Sequence, residues 1–204
     1  MKSYFKPRKG IHYKSGGLLV LSESAYAWDG DCPLGPNHPR ENTDHWIFND
    51  EHYNERGTKA QYYAALTRAL CNEKYPDLVQ RKKAWEDIAY TIYVQRSLKD
   101  IHQRPTQTDF IDSGKPFLTL IEKLRPSRVV ITGIQAWELM PECQVILDRY
   151  KQAYRLKDGT LVWCLAVPHP SSRKKGHGFR WADIGQRIQQ FVNEPLPKRS
   201  PIRK

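Results

Sequence analysis

The chain has 204 residues, of which 33 are Lys or Arg and 22 are Asp or Glu, so its formal net charge is +11. This length suffices for one hydrophobic core, and we expect a single domain over residues 1–194 and a basic flexible tail over 195–204. The charge lies at the ends, because residues 1–16 sum to +5 and residues 173–204 sum to +7. Basic ends on a nearly neutral body favour a polyanionic partner; ends that only increase solubility are the alternative.

Membrane proteins and disulfide-rich secreted proteins are two classes that the sequence disfavours. No apolar run is long enough to cross a bilayer and no signal peptide precedes the first predicted strand, so we expect an intracellular, cytoplasmic protein with no membrane partner. The cysteines are widely spaced and form no C-x-x-C pair, which argues against a disulfide framework and a standard zinc or iron–sulfur site. We therefore predict no metal and no other cofactor, and we expect a monomer.

Apolar and β-branched runs alternate with helical periodicity along the chain. In chain order these predict a strand at residues 18–21, a polar loop at 28–57, a helix at 58–71, a strand at 88–94, a helix at 109–124, a strand at 129–133, a helix at 134–150 that is broken near Pro141, a strand at 161–167 and a helix at 181–191. Strands that alternate with helices predict an α/β fold of three layers, with helices on both sides of a central four-stranded parallel sheet.

A carboxylate follows the first predicted strand, and an imidazole follows the last one. Glu23 lies in the segment S-E-S-A-Y, and His169 lies in H-P-S-S-R-K-K-G-H-G-F. Because parallel strands end at one edge of a sheet, both side chains are expected to face one cleft. Such a pair suits glycosidic cleavage, in which the sugar becomes oxocarbenium-like and the leaving base becomes anionic. The alternatives are that Glu23 pairs with a cation and that His169 holds the turn at Pro170.

The loop after the last predicted strand combines hydroxyls, cations and glycines, which suits contact with a phosphate backbone. Its serines and lysines are expected to contact phosphates, and Arg173 is expected to enter the base stack as a wedge when a nucleotide is extruded. A solvated turn is the alternative. The candidate DNA-binding residues are Ser171, Ser172, Arg173, Lys174, Lys175 and His177.

The two motifs together resemble those of the uracil-DNA glycosylase superfamily. Its members carry a short acidic or polar motif, such as G-E-A-P-G, after strand one and H-P-S after the last strand. The segment from His169 to Phe179 is similar to the H-P-S-P-R…G…G-W loop of the single-strand-selective branch, whereas Glu23 matches the branch that uses Glu. The resemblance implies a uracil-DNA glycosylase-like fold over about residues 16–192. It also implies that Glu23 assists the sugar cation and the water, and that His169 assists the leaving base.

Two departures from the family pattern bear on the catalytic carboxylate and on the substrate. Ser24 occupies the position of the catalytic Asp of another branch, so the carboxylate role falls to Glu23. Ile92 occupies the slot of the uracil-reading Asn, so strict uracil specificity is not expected. The candidates for a base pocket, for some of which core packing is the alternative, are Ser22, Ser24, Tyr26, Trp46, Phe48, Tyr93 and Gln95.

The sequence therefore predicts a monofunctional DNA glycosylase that flips one nucleotide and hydrolyses its N-glycosidic bond. The expected substrate is a damaged or modified base in DNA, and a modified base of viral DNA is one candidate, in base-excision repair or in phage defence. Two alternatives remain from other classes. One is a non-catalytic DNA-binding protein with the same fold, and the other is a hydrolase that acts on free nucleosides or nucleotides.

Overall fold

The computed structural model describes residues 4–27, 34–49, 53, 58–100, 102–174, 178–179 and 181–195. The strands in chain order are β1 (Arg8–Lys9), β2 (Leu18–Ser22), β3 (Ala25–Tyr26), β4 (Ile88–Ile92), β5 (Ser97–Leu98), β6 (Arg128–Thr132), β7 (Val145–Asp148), β8 (Lys151–Arg155), β9 (Leu161–Val167), β10 (Arg173–Lys174) and β11 (Gly178–Phe179). The helices are α1 (His38–Trp46), α2 (Thr58–Cys71), α3 (Leu78–Glu86), α4 (Gln107–Asp112), α5 (Gly114–Leu124), α6 (Ile134–Glu138) and α7 (Trp181–Asn193).

A mostly parallel sheet forms the centre of the molecule, with the strand order β1-β4-β2-β6-β9-β8-β7. Its parallel part is β4-β2-β6-β9, which contains the four predicted strands. Strand β1 on one side and the β8–β7 hairpin on the other are antiparallel to their neighbours. The predicted α/β class is thus confirmed, whereas the sheet has seven strands among the described residues rather than the four expected.

The β7–β8 hairpin overturns the helix that was predicted over residues 134–150. Helix α6 ends at Glu138, and the chain then enters β7 at Val145. Pro141 lies between the two elements and cannot continue a helix, because it lacks the backbone N–H. The hairpin pairs with β9, where Ala153 lies opposite Trp163, so it covers a sheet edge that would otherwise expose backbone groups.

The structure also differs from the sequence prediction in residues 28–57 and in residues 109–124. Helix α1 lies inside the predicted loop 28–57; it tolerates Pro39 because a proline in the first helical turn loses no intrahelical hydrogen bond. The single helix predicted over 109–124 is divided into α4 and α5 at Ser113, whose hydroxyl donates to the carbonyl of Asp109 and accepts the N–H of Gln95. Side-chain hydrogen bonds of this kind compete with the helical pattern.

Alternation along the strands produces two cores, one on each face of the sheet. Val20, Tyr90 and Val130 pack with α2, α3 and α7 on what we call the α2 face. Leu19 and Val129 pack with α4, α5 and α6 on the opposite, α5 face. Helices therefore flank the sheet on both sides. Among the described residues, no helix combines the length and the apolar character that crossing a bilayer requires.

The four parallel strands end at the same level, and this positions the candidate site. Ser22 of β2 pairs with Ile92 of β4 and with Thr132 of β6, and Thr132 pairs in turn with Val167 of β9. The residues that follow these strands consequently emerge side by side at one edge of the sheet, which we call the carboxyl edge. Ligands of open α/β sheets bind at such an edge.

Candidate active site

A cavity of about 760 Å³ opens at the carboxyl edge. Residues 22–26, from the last residue of β2 onward, form part of its wall, and His169, Ser171 and Ser172 after β9 form another part. Glu23 and His169 therefore line one cavity, although they are far apart in the chain. The volume lies within the range of about 300–1,000 Å³ that is typical of small-molecule pockets.

The carboxylate of Glu23 lies against the start of α6. A Cβ added to Gly133 would lie 2.6 Å from Oε2 of Glu23, so the glycine makes room for the carboxylate. Gly133 also has a φ of 153°, which other residues rarely adopt. Burial raises the pKa of Glu23 above its ordinary value, and the positive charge of Arg104 opposes that rise. The carboxylate is thus partly desolvated and shares the cavity lining with one cation that acts on it.

His169 is held by two neighbours in the chain and by one ring from α2. Its Nδ1 lies 2.8 Å from the Ser171 hydroxyl, and its carbonyl accepts the N–H of Ser172 at 2.8 Å. Its ring centroid lies 5.0 Å from that of Tyr62, at an interplanar angle of 42°. Burial, with a smaller contribution from the charge of Arg104, lowers the pKa of His169 to about 4. The imidazole is therefore neutral at pH 7, and Nε2 is the ring nitrogen that remains for a ligand.

Tyr62 connects this imidazole to the sheet. The hydroxyl of Thr132 donates to the carbonyl of Leu21 at 3.1 Å, so the Tyr62 hydroxyl donates to Thr132 Oγ1 at 3.0 Å. Tyr62 is buried, and its burial raises the pKa of the phenol. The ring against which His169 packs is consequently fixed to β6 and, through Thr132, to β2.

A chain of hydroxyls borders the cavity on the α2 face. Tyr90 donates to Ser22 Oγ at 3.1 Å, and Ser22 donates to the carbonyl of Thr91 at 3.4 Å. The hydroxyl oxygens of Tyr63 and Tyr90 are 3.2 Å apart. Because the proton of Tyr90 goes to Ser22, Tyr63 is the donor in this last pair. The hydroxyls of this chain thus all donate in one direction, from Tyr63 of α2 to Tyr90 of β4 and on to Ser22 of β2.

Polar residues from three further segments complete the lining. Asn42 and His38 project from α1, with Nδ2 of Asn42 2.6 Å from Nε2 of His38. Arg104 comes from the connection between β5 and α4, and Gln135 from α6. Arg104 is the one Lys or Arg that lines the cavity among the described residues. The lining therefore combines one carboxylate, one guanidinium, two imidazoles and several neutral hydroxyl and amide groups.

Some of the predicted base-pocket residues lie in this lining and others do not. Ser22, Ser24 and Tyr26 line it, and Ser24 donates to the Tyr26 hydroxyl at 3.4 Å. Tyr93 instead packs in the core of the α5 face, and Gln95 bonds the backbone at Phe5 and near the end of β4.

The predicted aromatic pair after α1 lies away from the cavity. Trp46 and Phe48 pack at the margin of the core on the α2 face, where Arg8 lies over the ring of Phe48 at 5.1 Å. Neither residue belongs to the described lining of the cavity. Core packing, the alternative to stacking on a base, describes their surroundings in this structure.

The predicted DNA-binding loop is described only in part. Ser171 and Ser172 line the cavity, and the backbone of Arg173 and Lys174 pairs antiparallel with β11. The side chains of Arg173 and Lys174, together with Lys175 and His177, lie outside the described residues, as does most of the predicted tail.

Sequence reasoning missed the residues that helices and connections contribute. Gln135 follows β6 closely, and the rule that ligands bind at the ends of parallel strands could have found it. Tyr62, Tyr63 and Asn42 carry no comparable signal, because their placement depends on how α1 and α2 dock on the sheet. Arg104 lies in an irregular segment, where no periodicity indicates to which side its side chain points.

No protein-family model matches the sequence, and no curated protein is significantly similar to it. The function is therefore inferred from the geometry of the site. Within the described part of the chain, no group of three or more His, Cys, Asp or Glu side chains could hold a metal ion. The arrangement offers a carboxylate for a developing positive charge and a neutral imidazole for a developing negative charge.

Proposed function

We propose that this protein is a DNA N-glycosylase that hydrolyses the bond between deoxyribose and a damaged or modified base. The observation that supports the proposal most is the placement of Glu23 and His169 in one cavity at the carboxyl edge. Glu23 supplies a carboxylate for the developing sugar cation, and His169 supplies a neutral imidazole for the developing base anion. Their two motifs resemble those of uracil-DNA glycosylases, and this resemblance is the reason that we propose cleavage of an N-glycosidic bond.

Glu23 would act on the sugar side of the bond. As the bond between C1′ and the base nitrogen breaks, its electron pair leaves with the base and C1′ becomes electron-deficient. An ionised Glu23 stabilises this cation and orients a water, whose oxygen bonds to C1′ and whose proton passes to the carboxylate. Arg104 supports the ionised form, because its charge lowers the pKa that burial raises.

His169 would act on the base side. If the Ser171 hydroxyl donates to Nδ1, the ring proton lies on Nε2, and this N–H can donate a hydrogen bond to an oxygen or nitrogen of the departing base. A neutral imidazole suits this role, since a pre-oriented dipole stabilises the base anion without a proton transfer. The packing of the ring on Tyr62 keeps this dipole in place.

DNA is the proposed partner because of the charge of +11 and the guanidinium of Arg104 in the cavity lining. Arg104 lines the cavity, and the loop that contains Arg173 and Lys174 continues from its wall. Ile92 presents an aliphatic side chain to the cavity, which agrees with a base other than unmodified uracil. Binding should weaken steeply with salt, since each phosphate contact releases a counterion.

The proposal is tested by base release from oligonucleotides that carry normal, deaminated, alkylated or otherwise modified bases. Abasic sites are detected by cleavage in alkali. We expect wild-type protein to act on at least one of these DNAs, and Glu23→Gln and His169→Ala each to lower the rate at least about 100-fold. Glu122→Gln and His12→Ala are matched controls, because both residues lie outside the cavity and should leave the rate unchanged.

Other outcomes would contradict the proposal. Equal rates for wild type and both cavity variants would remove Glu23 and His169 from the mechanism. Salt-sensitive DNA binding without release of any base would indicate a non-catalytic DNA-binding protein. Cleavage of free nucleosides or nucleotides, but not of DNA, would indicate a hydrolase of small molecules.

A further inference from the structure

Arg104 is a cation at the opening of the cavity. Its side chain belongs to the cavity lining and is nevertheless exposed, so the guanidinium is within reach of a ligand that enters from solvent. Within the described part of the chain, this guanidinium forms no hydrogen bond and no ion pair. Its charge acts on both Glu23 and His169, which places it near the two groups that would flank the reacting bond. Arg104 is therefore available to an anion that enters the cavity.

The backbone around Arg104 is held on both sides. Before it, Oδ1 of Asp100 accepts the N–H of Gln103 at 3.1 Å. After it, Pro105 is buried and the side chain of Thr106 caps α4. A residue that precedes proline is also confined to extended backbone. The guanidinium thus extends from a fixed point of the chain, which lowers the entropy cost of ordering it on a ligand.

The connection that carries this cation begins beside the segment that carries Glu23. Strand β5, where the connection starts, pairs in parallel with β3, and Ser97 lies opposite Ala25. Because Ala25 closely follows Glu23 in the chain, this pairing joins the two segments through their backbones. The cation and the carboxylate are consequently positioned by the same small sheet.

A nucleotide in this cavity would bring a second anion close to Glu23. Its phosphates are attached to the same sugar ring whose C1′ the carboxylate would stabilise. Two anions in a partly desolvated cavity repel each other, which disfavours the ionised carboxylate and weakens binding of the nucleotide. A guanidinium offsets this repulsion, and its parallel N–H groups match the oxygens of a phosphate. A phosphate of the substrate therefore accounts for a cation in the same lining as Glu23.

We propose that Arg104 binds a phosphate next to the extruded nucleotide and offsets its charge beside Glu23. This inference rests on the proposed function, since it assumes that the cavity receives a nucleotide of DNA. It assigns a phosphate contact to the connection between β5 and α4, outside the two motifs that carry Glu23 and His169. The ligand is thus a nucleotide with a flanking phosphodiester rather than a free base or nucleoside.

The test measures binding to DNA that contains one tetrahydrofuran analogue of an abasic site, which has no glycosidic bond and is extruded at low cost. Fluorescence anisotropy gives Kd for the unmodified probe and for probes with one neutral methylphosphonate, placed on the 5′ side of the analogue, on its 3′ side or at a distant position. We expect Arg104→Gln to weaken binding to the unmodified probe about tenfold. A methylphosphonate at the contacted position should abolish this difference between wild type and variant, and the flanking probe that does so identifies the phosphate. The distant methylphosphonate should leave the difference intact.

Arg155→Gln is the matched control, because it removes the same charge from an exposed arginine outside the cavity. Arg155 pairs with Leu161 at the start of β9, the end opposite to the carboxyl edge. This variant should bind each probe as wild type does. Arg104→Gln should also lower the slope of log Kd against log salt concentration by about one, whereas Arg155→Gln should not. Both variants are expected to melt like wild type, since both side chains are exposed.

Two results would overturn the inference. One is an Arg104→Gln variant that binds the unmodified probe as tightly as wild type. The other is a loss of affinity that persists on both flanking methylphosphonate probes, because Arg104 would then contact another part of the nucleotide. Either result leaves the proposed function intact as long as Glu23 and His169 are required for base release. If no base is released, the comparison of the probes still shows whether Arg104 binds a phosphate.

Discussion

The two faces of the sheet bury tyrosine hydroxyls in different ways. On the α2 face, Tyr62, Tyr63 and Tyr90 are buried and each hydroxyl has a partner on the protein. On the α5 face, Tyr154 donates to the carbonyl of Pro141, but the buried Tyr93 hydroxyl has no partner among the described residues. The faces share strands and similar apolar cores, so the difference lies in how the polar groups are connected.

The buried hydroxyls of the α2 face therefore form a hydrogen-bond network and, among the described residues, those of the α5 face do not. A buried hydroxyl is expensive without a partner, and a network that satisfies each member holds its side chains in one arrangement. On the α2 face that network ends at the cavity, where Tyr62 contacts His169 and Tyr90 contacts Ser22. The α5 face instead supports the sheet through Phe117 and its aliphatic neighbours. The hydroxyl network of the α2 face thus holds the His169 side of the site, whereas the core of the α5 face mainly supplies apolar burial.

The largest expected effect on stability comes from His169, the buried imidazole at the end of β9 that lines the cavity. Its pKa is about 4 in the fold and 6.5 ordinarily, so the unfolded chain gains a proton first as the pH falls. Stability that is present above pH 6.5 is therefore lost progressively between pH 6.5 and 4. The loss should reach at most about 3 kcal/mol relative to a variant that cannot titrate there.

This prediction is checked by urea unfolding at a series of pH values for wild type and His169→Asn. The free energy of unfolding of the variant should decline less steeply over the interval. His12→Asn is the matched control, because it replaces an exposed imidazole that lies outside the cavity. Parallel slopes for wild type and His169→Asn would show that burial at the cavity imposes no such proton linkage.

A smaller effect is expected at Tyr90, in the middle of the hydroxyl chain. Tyr90→Phe removes the acceptor of the Tyr63 proton and the donor to Ser22. Leaving buried groups unpaired should lower the free energy of unfolding by about 1–3 kcal/mol, measured by urea denaturation at neutral pH. Tyr75→Phe is the control, because Tyr75 is 73% exposed. If Tyr90→Phe lowers the free energy of unfolding no more than the control does, the hydroxyl chain contributes little to stability.

The comparison also explains what the sequence could predict. The parallel strands could be predicted because short apolar runs such as 129–132 and 161–167 are typical of buried strands, and β9 occupies Leu161–Val167 as expected. The hairpin was missed because Val145–Asp148 is mostly exposed on an edge and lacks the alternation of a half-buried strand. Helices α1 and α3 bury few apolar residues, so neither shows a strong helical period.

The residues of the candidate site also fall into a group that the sequence could predict and a group that it could not. Glu23, His169 and their neighbours were found because their positions follow from where strands end, which is a local property of the chain. Asn42 and Tyr62 depend on the docking of helices, which requires the strand order and the completed core. Along β4, alternation does place Tyr90 and Tyr93 on opposite faces, but only the structure shows which hydroxyl has a partner.

The smallest effect is expected at Tyr93, the counterpart of Tyr90 on the α5 face. Its ring packs 6.0 Å from that of Phe117 and is 2% exposed, and burial raises the pKa of its phenol. Because the hydroxyl has no partner within the described structure, Tyr93→Phe removes a desolvated polar group and no hydrogen bond. The free energy of unfolding should therefore stay unchanged or rise by up to about 1 kcal/mol. A loss comparable to that of Tyr90→Phe, in the same urea experiment, would show that the hydroxyls of both faces are equally paired and would remove the contrast between them.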